Sequence, residues 1–384
     1  MDNNKIRIFT PYLFFLSTWL LVPAILAADK FIHFYVIALL ITMFIFFYWL
    51  NNKRVCEICS NGIINSKSEE IILKAFIFSM ISAFLITKGG ILLSYLSGIS
   101  LLLERDNMRY AAIDFPYYSL IFRNCATLLG ALSLYELWNK RYFHFIICAV
   151  PYCLFFLTSV EKAPIATFII LITYVLLSSR QLGIFSITFI SIVSILVLYF
   201  IFRTSYRDTN VFGIEILPSL LNAIWERVKL SGELVLYAYE FFLNKANLAG
   251  ASFPILLGLL DLNILSLNRI RIGDLIMYKY RGQYEGTANT SFIVDGYANF
   301  GLGGGYLFLI LVILYLFCLL KYVILLIQSP YFRDIYKLFI MITIIDLISV
   351  DFWVPLESSI FAFCLLFGIE RFINLSPKSL NSNI

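Results

Sequence analysis

Residues Phe292 to Ile310 read FIVDGYANFGLGGGYLFLI. The second half of this stretch opens a long apolar run. The first half carries an acid, Asp295, and the next ten residues hold Gly296, Gly301, Gly303, Gly304 and Gly305. Glycine in a helix interior costs about 1 kcal/mol relative to alanine, and a carboxylate near lipid costs more. Both fit a seam where an aqueous segment enters the membrane. An unwound turn is expected there, exposing N–H groups at the start of the next helix. The plainer alternative is a loop-to-helix junction that packs small residues against neighbouring spans. That alternative suits Gly303, Gly304 and Gly305; Asp295, Asn299 and Gly301 are the candidate functional positions.

The rest of the chain must then be read as membrane protein, and its composition agrees. Mean hydropathy is +0.87, 61% of residues are hydrophobic and only 14% are charged. A soluble domain is about a quarter charged. Apolar runs of about 17–25 residues, long enough to span, lie at 11–28, 31–50, 71–97, 116–135, 143–160, 164–180, 183–202, 303–325, 338–355 and 357–373. With the N-terminus (Lys5, Arg7) cytoplasmic, the same side holds Lys53, Arg54, Lys67, Lys74, Lys140, Arg141, Arg180, Lys321, Arg333, Lys337, Arg371 and Lys378. The opposite short loops hold only Lys30, Arg105, Arg109 and Lys162. This asymmetry is the positive-inside signature.

The expected fold class is therefore an all-α polytopic membrane protein of about ten transmembrane helices, with both termini cytoplasmic. Residues 1–384 form one integral membrane domain. The first run ends in AILAAD, which resembles a signal-peptide cleavage site. An uncleaved span is preferred, because losing it would reverse the charge assignment.

Between the seventh and eighth runs lies a large outer loop, 203–291. It would face the periplasm in a Gram-negative cell. Loops this long are functional or disordered. Here Leu217, Leu220, Leu221, Ile224, Trp225 and Val228 share a helical face, which argues for an amphipathic helix. The segment 251–267 is apolar but short and interrupted by Asp261, so a re-entrant or interfacial hairpin is expected. Cys56 and Cys59 form CEIC in a cytoplasmic loop; zinc needs four ligands, and no second pair lies nearby.

Charges within spans are functional candidates by default, and here they gather in the outer half. Lys88 lies late in an outward-going span, Arg123 early in an inward-going one, and Glu161 and Lys162 form an outer turn. Arg203 and Arg207 end the span feeding the loop. Lys88 and Lys162 could simply snorkel to the interface. Arg123 sits too far inside its span for that. Together with Arg269, Arg271 and Arg281, the cluster suits an anionic ligand approached from outside, since arginine matches phosphate oxygens with a planar fork of donors.

Catalytic templates are sparse. His33 and His144, the chain's two histidines, fall at span ends and outside the loop, which argues against a Ser-His-Asp triad or a His-rich metal site there. No phosphate-binding GxxxxGK[ST] occurs. Carboxylates remain for acid–base chemistry: Asp208, Asp274, Glu285 and Asp295. A glycosyl transfer from a diphosphate needs a base for the attacking hydroxyl and cations for the leaving diphosphate.

The architecture resembles the Wzy-type oligosaccharide repeat-unit polymerases of O-antigen and capsule synthesis. YANFGLGG (Tyr297 to Gly304) looks like the NFG-x-x-G signature at the end of their large loop. SVEKAPI (Ser159 to Ile165) is similar to their short outer turn bearing Lys or Arg. Arg271, ten residues, then Gly282 matches an Arg-and-Gly spacing of some members; Arg203 to Gly213 is one residue short of it. The resemblance implies a GT-C-like fold in the bacterial inner (plasma) membrane. It also implies an undecaprenyl-diphosphate-linked oligosaccharide as substrate and neither nucleotide sugar, metal nor other cofactor. Arg203, Arg207, Arg271 and Arg281 would contact diphosphate or sugar, with Arg123 and Lys162 beneath them and Asn299 and Gly301 in the wall. Asp295, with Asp274 and Glu285 as alternatives, would be the catalytic base. Besides membrane lipid, a chain-length regulator and a flippase of the pathway are the implied partners; nucleic acid is not. The rivals are an O-antigen ligase, which in related architectures carries a functional loop histidine, and a lipid-linked oligosaccharide flippase or other transporter.

Overall fold

The computed structural model describes residues 5–27, 31–53, 56–59, 67–97, 117–159, 161, 163–178, 229, 232–233, 235–243, 276, 279, 291–345 and 353–375. These residues are mostly helical. The helices are α1 (Thr10–Ala27), α2 (Phe31–Asn51), α3 (Lys67–Ser97), α4 (Arg123–Trp138), α5 (Tyr142–Thr158), α6 (Ala163–Ser178), α7 (235–243), α8 (Ser291–Phe300), α9 (Leu302–Lys321), α10 (Pro330–Thr343) and α11 (Trp353–Leu375). Among the described residues, four stretches, Thr10–Ala27, His33–Asn51, Ser68–Ile91 and Leu302–Leu326, are long and apolar enough to cross a membrane. Tyr142–Thr158 and Ala163–Ser178 are shorter apolar helices. The expected run 183–202 and most of the loop 203–291 lie outside the described residues.

Local chemistry explains the departures from regular helix. In α1, Pro23 has no N–H to give the carbonyl four residues back. The preceding turn, Leu16–Leu21, is wound as a π-helix, with the Val22 N–H bonded to the Ser17 carbonyl. A second π turn, Tyr118–Phe122, leads into α4 after Tyr117, whose φ is 58°.

Helix ends pair in two groups. At one end, β1 (Lys5–Arg7) pairs antiparallel with β2 (Glu57–Cys59), with Ile6 opposite Ile58. This ribbon corrects the purely helical expectation. It also gives the CEIC segment a structural role, with Cys56 buried and its thiol pushed up to about 12 by burial. The Lys337 ammonium donates to the Glu57 carbonyl at 2.8 Å, and the Tyr174 hydroxyl donates to the Arg7 carbonyl at 2.9 Å. We call this the strand end. Cation–aromatic pairs fall there: Lys53 over Trp49 at 4.2 Å, Lys321 over Phe317 and over Tyr322, each at 5.1 Å, and Arg371 over Phe367 at 4.8 Å.

A buried ionic network binds the same end. Lys74 meets Glu70 at 2.6 Å and Glu136 at 2.7 Å, while Arg141 meets Glu70 at 3.0 Å and Glu136 at 3.2 Å. Beside it, the Ser329 hydroxyl donates to Glu69 at 2.6 Å, and the Gln328 N–H donates to Glu370 at 3.0 Å. The network joins α3, α4 and the start of α5. Helix α4 is the centre of the bundle, with every residue from Asn124 to Trp138 buried.

One expected boundary moves. The run read as starting at 338 belongs to a helix that begins at Pro330, capped by the Ser329 hydroxyl, which accepts from the Phe332 N–H at 3.4 Å. Arg333, Asp334 and Lys337 interrupt the apolar run in sequence, but their backbone is already helical.

Candidate functional site

The far end of the bundle, opposite the strands, holds the starts of α2 and α4 and the α8–α9 junction. The junction is tighter than the expected unwound turn. Only Gly301 leaves the helical region, with φ 72° and ψ −158°, a conformation open essentially to glycine alone. Gly303, Gly304 and Gly305 are already inside α9. Their roles differ. A Cβ on Gly304 would lie 1.9 Å from the Gly296 carbonyl oxygen, and one on Gly296 would lie 2.3 Å from the Gly304 carbonyl oxygen. The two helices therefore cross in backbone contact. A Cβ on Gly305 would meet Leu39 of α2 at 2.7 Å, whereas one on Gly303 would meet nothing within 4 Å. Small-residue packing wins at Gly304 and Gly305.

That crossing fixes which face of α8 points where. Ile293, Gly296, Tyr297 and Phe300 follow helical spacing on the side facing α9 and α7. Asp295 and Asn299, four residues apart, lie on the opposite side. Both are nonetheless buried, Asp295 at 3% and Asn299 at 1% exposure. The Asn299 side-chain amide donates to the Asp295 carbonyl oxygen at 2.7 Å. A carboxylate at that depth is costly unless charge or donors surround it, which makes Asp295 a marked position.

Arg123 belongs to a second cluster at this end. It opens α4 directly after the π turn, a distortion frequent at functional sites. Its guanidinium lies 3.5 Å from Glu161, whose other oxygen accepts from the Tyr118 hydroxyl at 2.6 Å. The SVEKAPI turn and Arg123 are thus brought together. Lys162, Arg203, Arg207, Arg271, Arg281, Asp274 and Glu285 lie outside the described residues.

Sequence reasoning missed an aromatic and acid–base group that ties α2 to the long loop. Tyr239 of α7 stacks on Tyr297 of α8 with centroids 4.2 Å apart. Tyr35 of α2 meets Tyr239 at 6.0 Å and Tyr306 of α9 at 5.8 Å. His33 Nε2 stands 3.0 Å from Glu240 Oε1. The histidine set aside because it lies outside the loop is seated against a loop carboxylate. The available signal was Glu240 itself, an acid in the apolar run LVLYAYEFFL, which calls for a partner.

Chemically, the far end offers a buried carboxylate beside an amide, an arginine at a helix start and a histidine–glutamate pair. Compared with family models, curated proteins and solved structures, the chain matches none.

Proposed function

We propose that this chain is a multi-pass protein of the bacterial inner membrane. In this reading it joins undecaprenyl-diphosphate-linked oligosaccharide repeats into O-antigen or capsular polysaccharide. The chain crosses about ten times, with the strand end cytoplasmic and the far end, with loop 203–291, outside. The cations Lys53, Lys321 and Arg371 at the strand end support that orientation, since cytoplasmic loops carry an excess of Lys and Arg.

The observation that carries the activity is Asp295, buried with Asn299 on the short helix that ends the loop. In the reaction, a sugar hydroxyl of the incoming repeat attacks the anomeric carbon of the growing chain. The bond from that carbon to the lipid diphosphate breaks, and its electron pair leaves with the diphosphate. The hydroxyl proton passes to a carboxylate: Asp295, with Asp274 and Glu285 as alternatives. Arg203, Arg207, Arg271 and Arg281, with Arg123 and Lys162, stabilise the departing diphosphate. No nucleotide or metal enters these steps.

Deleting the gene tests the reading. A polymerase deletion leaves single repeats on the lipopolysaccharide core when the polymer is O-antigen. Polymer of normal length and abundance contradicts the proposal. Polymer stranded on the lipid carrier indicates a ligase instead, and no repeat on the core indicates a flippase.

A further inference from the structure

We propose that His33 and Glu240 are a positioning pair that sets the helix carrying Asp295. Its effect on activity rests on the polymerase reading; its geometry does not. The two residues lie 207 positions apart, on the first turn of α2 and on α7, with Nε2 3.0 Å from Oε1. A carboxylate oxygen accepts, so the tautomer with hydrogen on Nε2 is the one that makes this bond. His33 is 4% exposed, so water competes weakly for this bond.

From the pair, contacts run directly to α8. Tyr239, beside Glu240, is fully buried. Its ring stacks on Tyr297, and its hydroxyl donates to the Ile293 carbonyl oxygen at 3.3 Å. Ile293 and Tyr297 are one turn apart and bracket Asp295, which projects from the other side. A second arm leaves the same turn of α2: the Tyr35 hydroxyl donates to the Leu302 carbonyl oxygen, immediately past Gly301. Thus α2 holds α8 through α7 and holds the α8–α9 joint directly. With ten residues, α8 is too short to be stable alone, so its rotation is held by these contacts together with the Gly296–Gly304 crossing. Turning it by one residue would swing Asp295 about 100° around the helix axis.

Two measurements on the full-length protein test the pair. The first is hydrogen exchange of amides 291–300 in detergent. Glu240→Ala should speed exchange at least tenfold, while Glu240→Gln, which keeps an acceptor oxygen, should stay within threefold of wild type. Unchanged exchange in Glu240→Ala overturns the proposal, as does equal loosening in both variants. The second is elongation in proteoliposomes supplied with the undecaprenyl-diphosphate-linked repeat unit of the host. Glu240→Ala should lower kcat at least tenfold with KM within twofold, Glu240→Gln should restore most of it, and adding His33→Ala to Glu240→Ala should cost nothing more. Full kcat in Glu240→Ala overturns the proposal. A wild-type protein that fails to elongate overturns the polymerase reading instead, and the pair then stands or falls on the exchange result.

Discussion

Gly303 and Gly304 are neighbours in one helix, and alanine should act on them in opposite directions. At Gly304 the new Cβ would sit 1.9 Å from the Gly296 carbonyl oxygen and 2.7 Å from its carbon. Both are backbone atoms and cannot swing aside as a side chain can. Restoring an ordinary contact would require α8 and α9 to part by roughly 1.5 Å, and overpacking of this kind costs about 3 kcal/mol. The gain in helix propensity returns about 1 kcal/mol, so Gly304→Ala should destabilise by about 2 kcal/mol. At Gly303 nothing lies within 4 Å of the added Cβ. Only the propensity gain remains, so Gly303→Ala should stabilise by about 1 kcal/mol. The assay is thermal unfolding of the purified protein in detergent. A gap of about 3 kcal/mol corresponds to a Tm difference on the order of 5 °C between the two variants. Equal Tm values, or a Gly303→Ala protein less stable than Gly304→Ala, would refute the crossing geometry.

Gly301→Ala should cost about 1–3 kcal/mol in the same assay, because its φ of 72° is strained for any side chain; a neutral result removes the sharp joint between α8 and α9. Lys74→Met strips one of the two cations that Glu70 and Glu136 share, leaving Arg141, and should destabilise by about 2–3 kcal/mol, whereas a change below about 1 kcal/mol would show that the network is solvated. Asp334 has its carboxyl raised to about 6 by burial, with Lys337 and Arg333 acting the other way. The folded state then binds its proton more tightly than the unfolded state, so this site's contribution is fully present below pH ~4 and is lost as pH rises through about 6. Asp334→Asn should therefore raise stability at pH 7 by about 1 kcal/mol after allowance for screening and flatten the profile between pH 4 and 6; a lower Tm at pH 7 would reverse the sign.

Features carried by local composition were legible in the sequence. The apolar run at 31–50 appears as α2, Phe31–Asn51, because a run of twenty residues broken only by His33 and Thr42 is long and apolar enough to specify a helix. Features made by distant pairing were not. The ribbon joins two three-residue strands some fifty positions apart, too short to show alternation. His33 and Glu240 each look like isolated polar residues until the fold brings them together. The start of α10 was hidden because Arg333, Asp334 and Lys337 break the hydropathy signal but not the helix. At the candidate site, Asp295 and Asn299 stood out as polar residues beside an apolar run. Their common face became visible only once the Gly296–Gly304 contact fixed the rotation of α8.

The proposed lengthening of a lipid-linked glycan at the far end, with Asp295 ahead of Asp274 and Glu285 as base, meets its most direct test in vitro. Purified wild-type protein and Asp295→Asn should each be reconstituted in proteoliposomes with an undecaprenyl-diphosphate-linked repeat unit, without nucleotide or metal, and the glycans separated by size. A ladder of polymer with release of undecaprenyl diphosphate is expected from the wild type, and loss of both in a variant that remains folded. A wild type that leaves the repeat unit unextended, or an Asp295→Asn protein that builds the same ladder at the same rate, would contradict it.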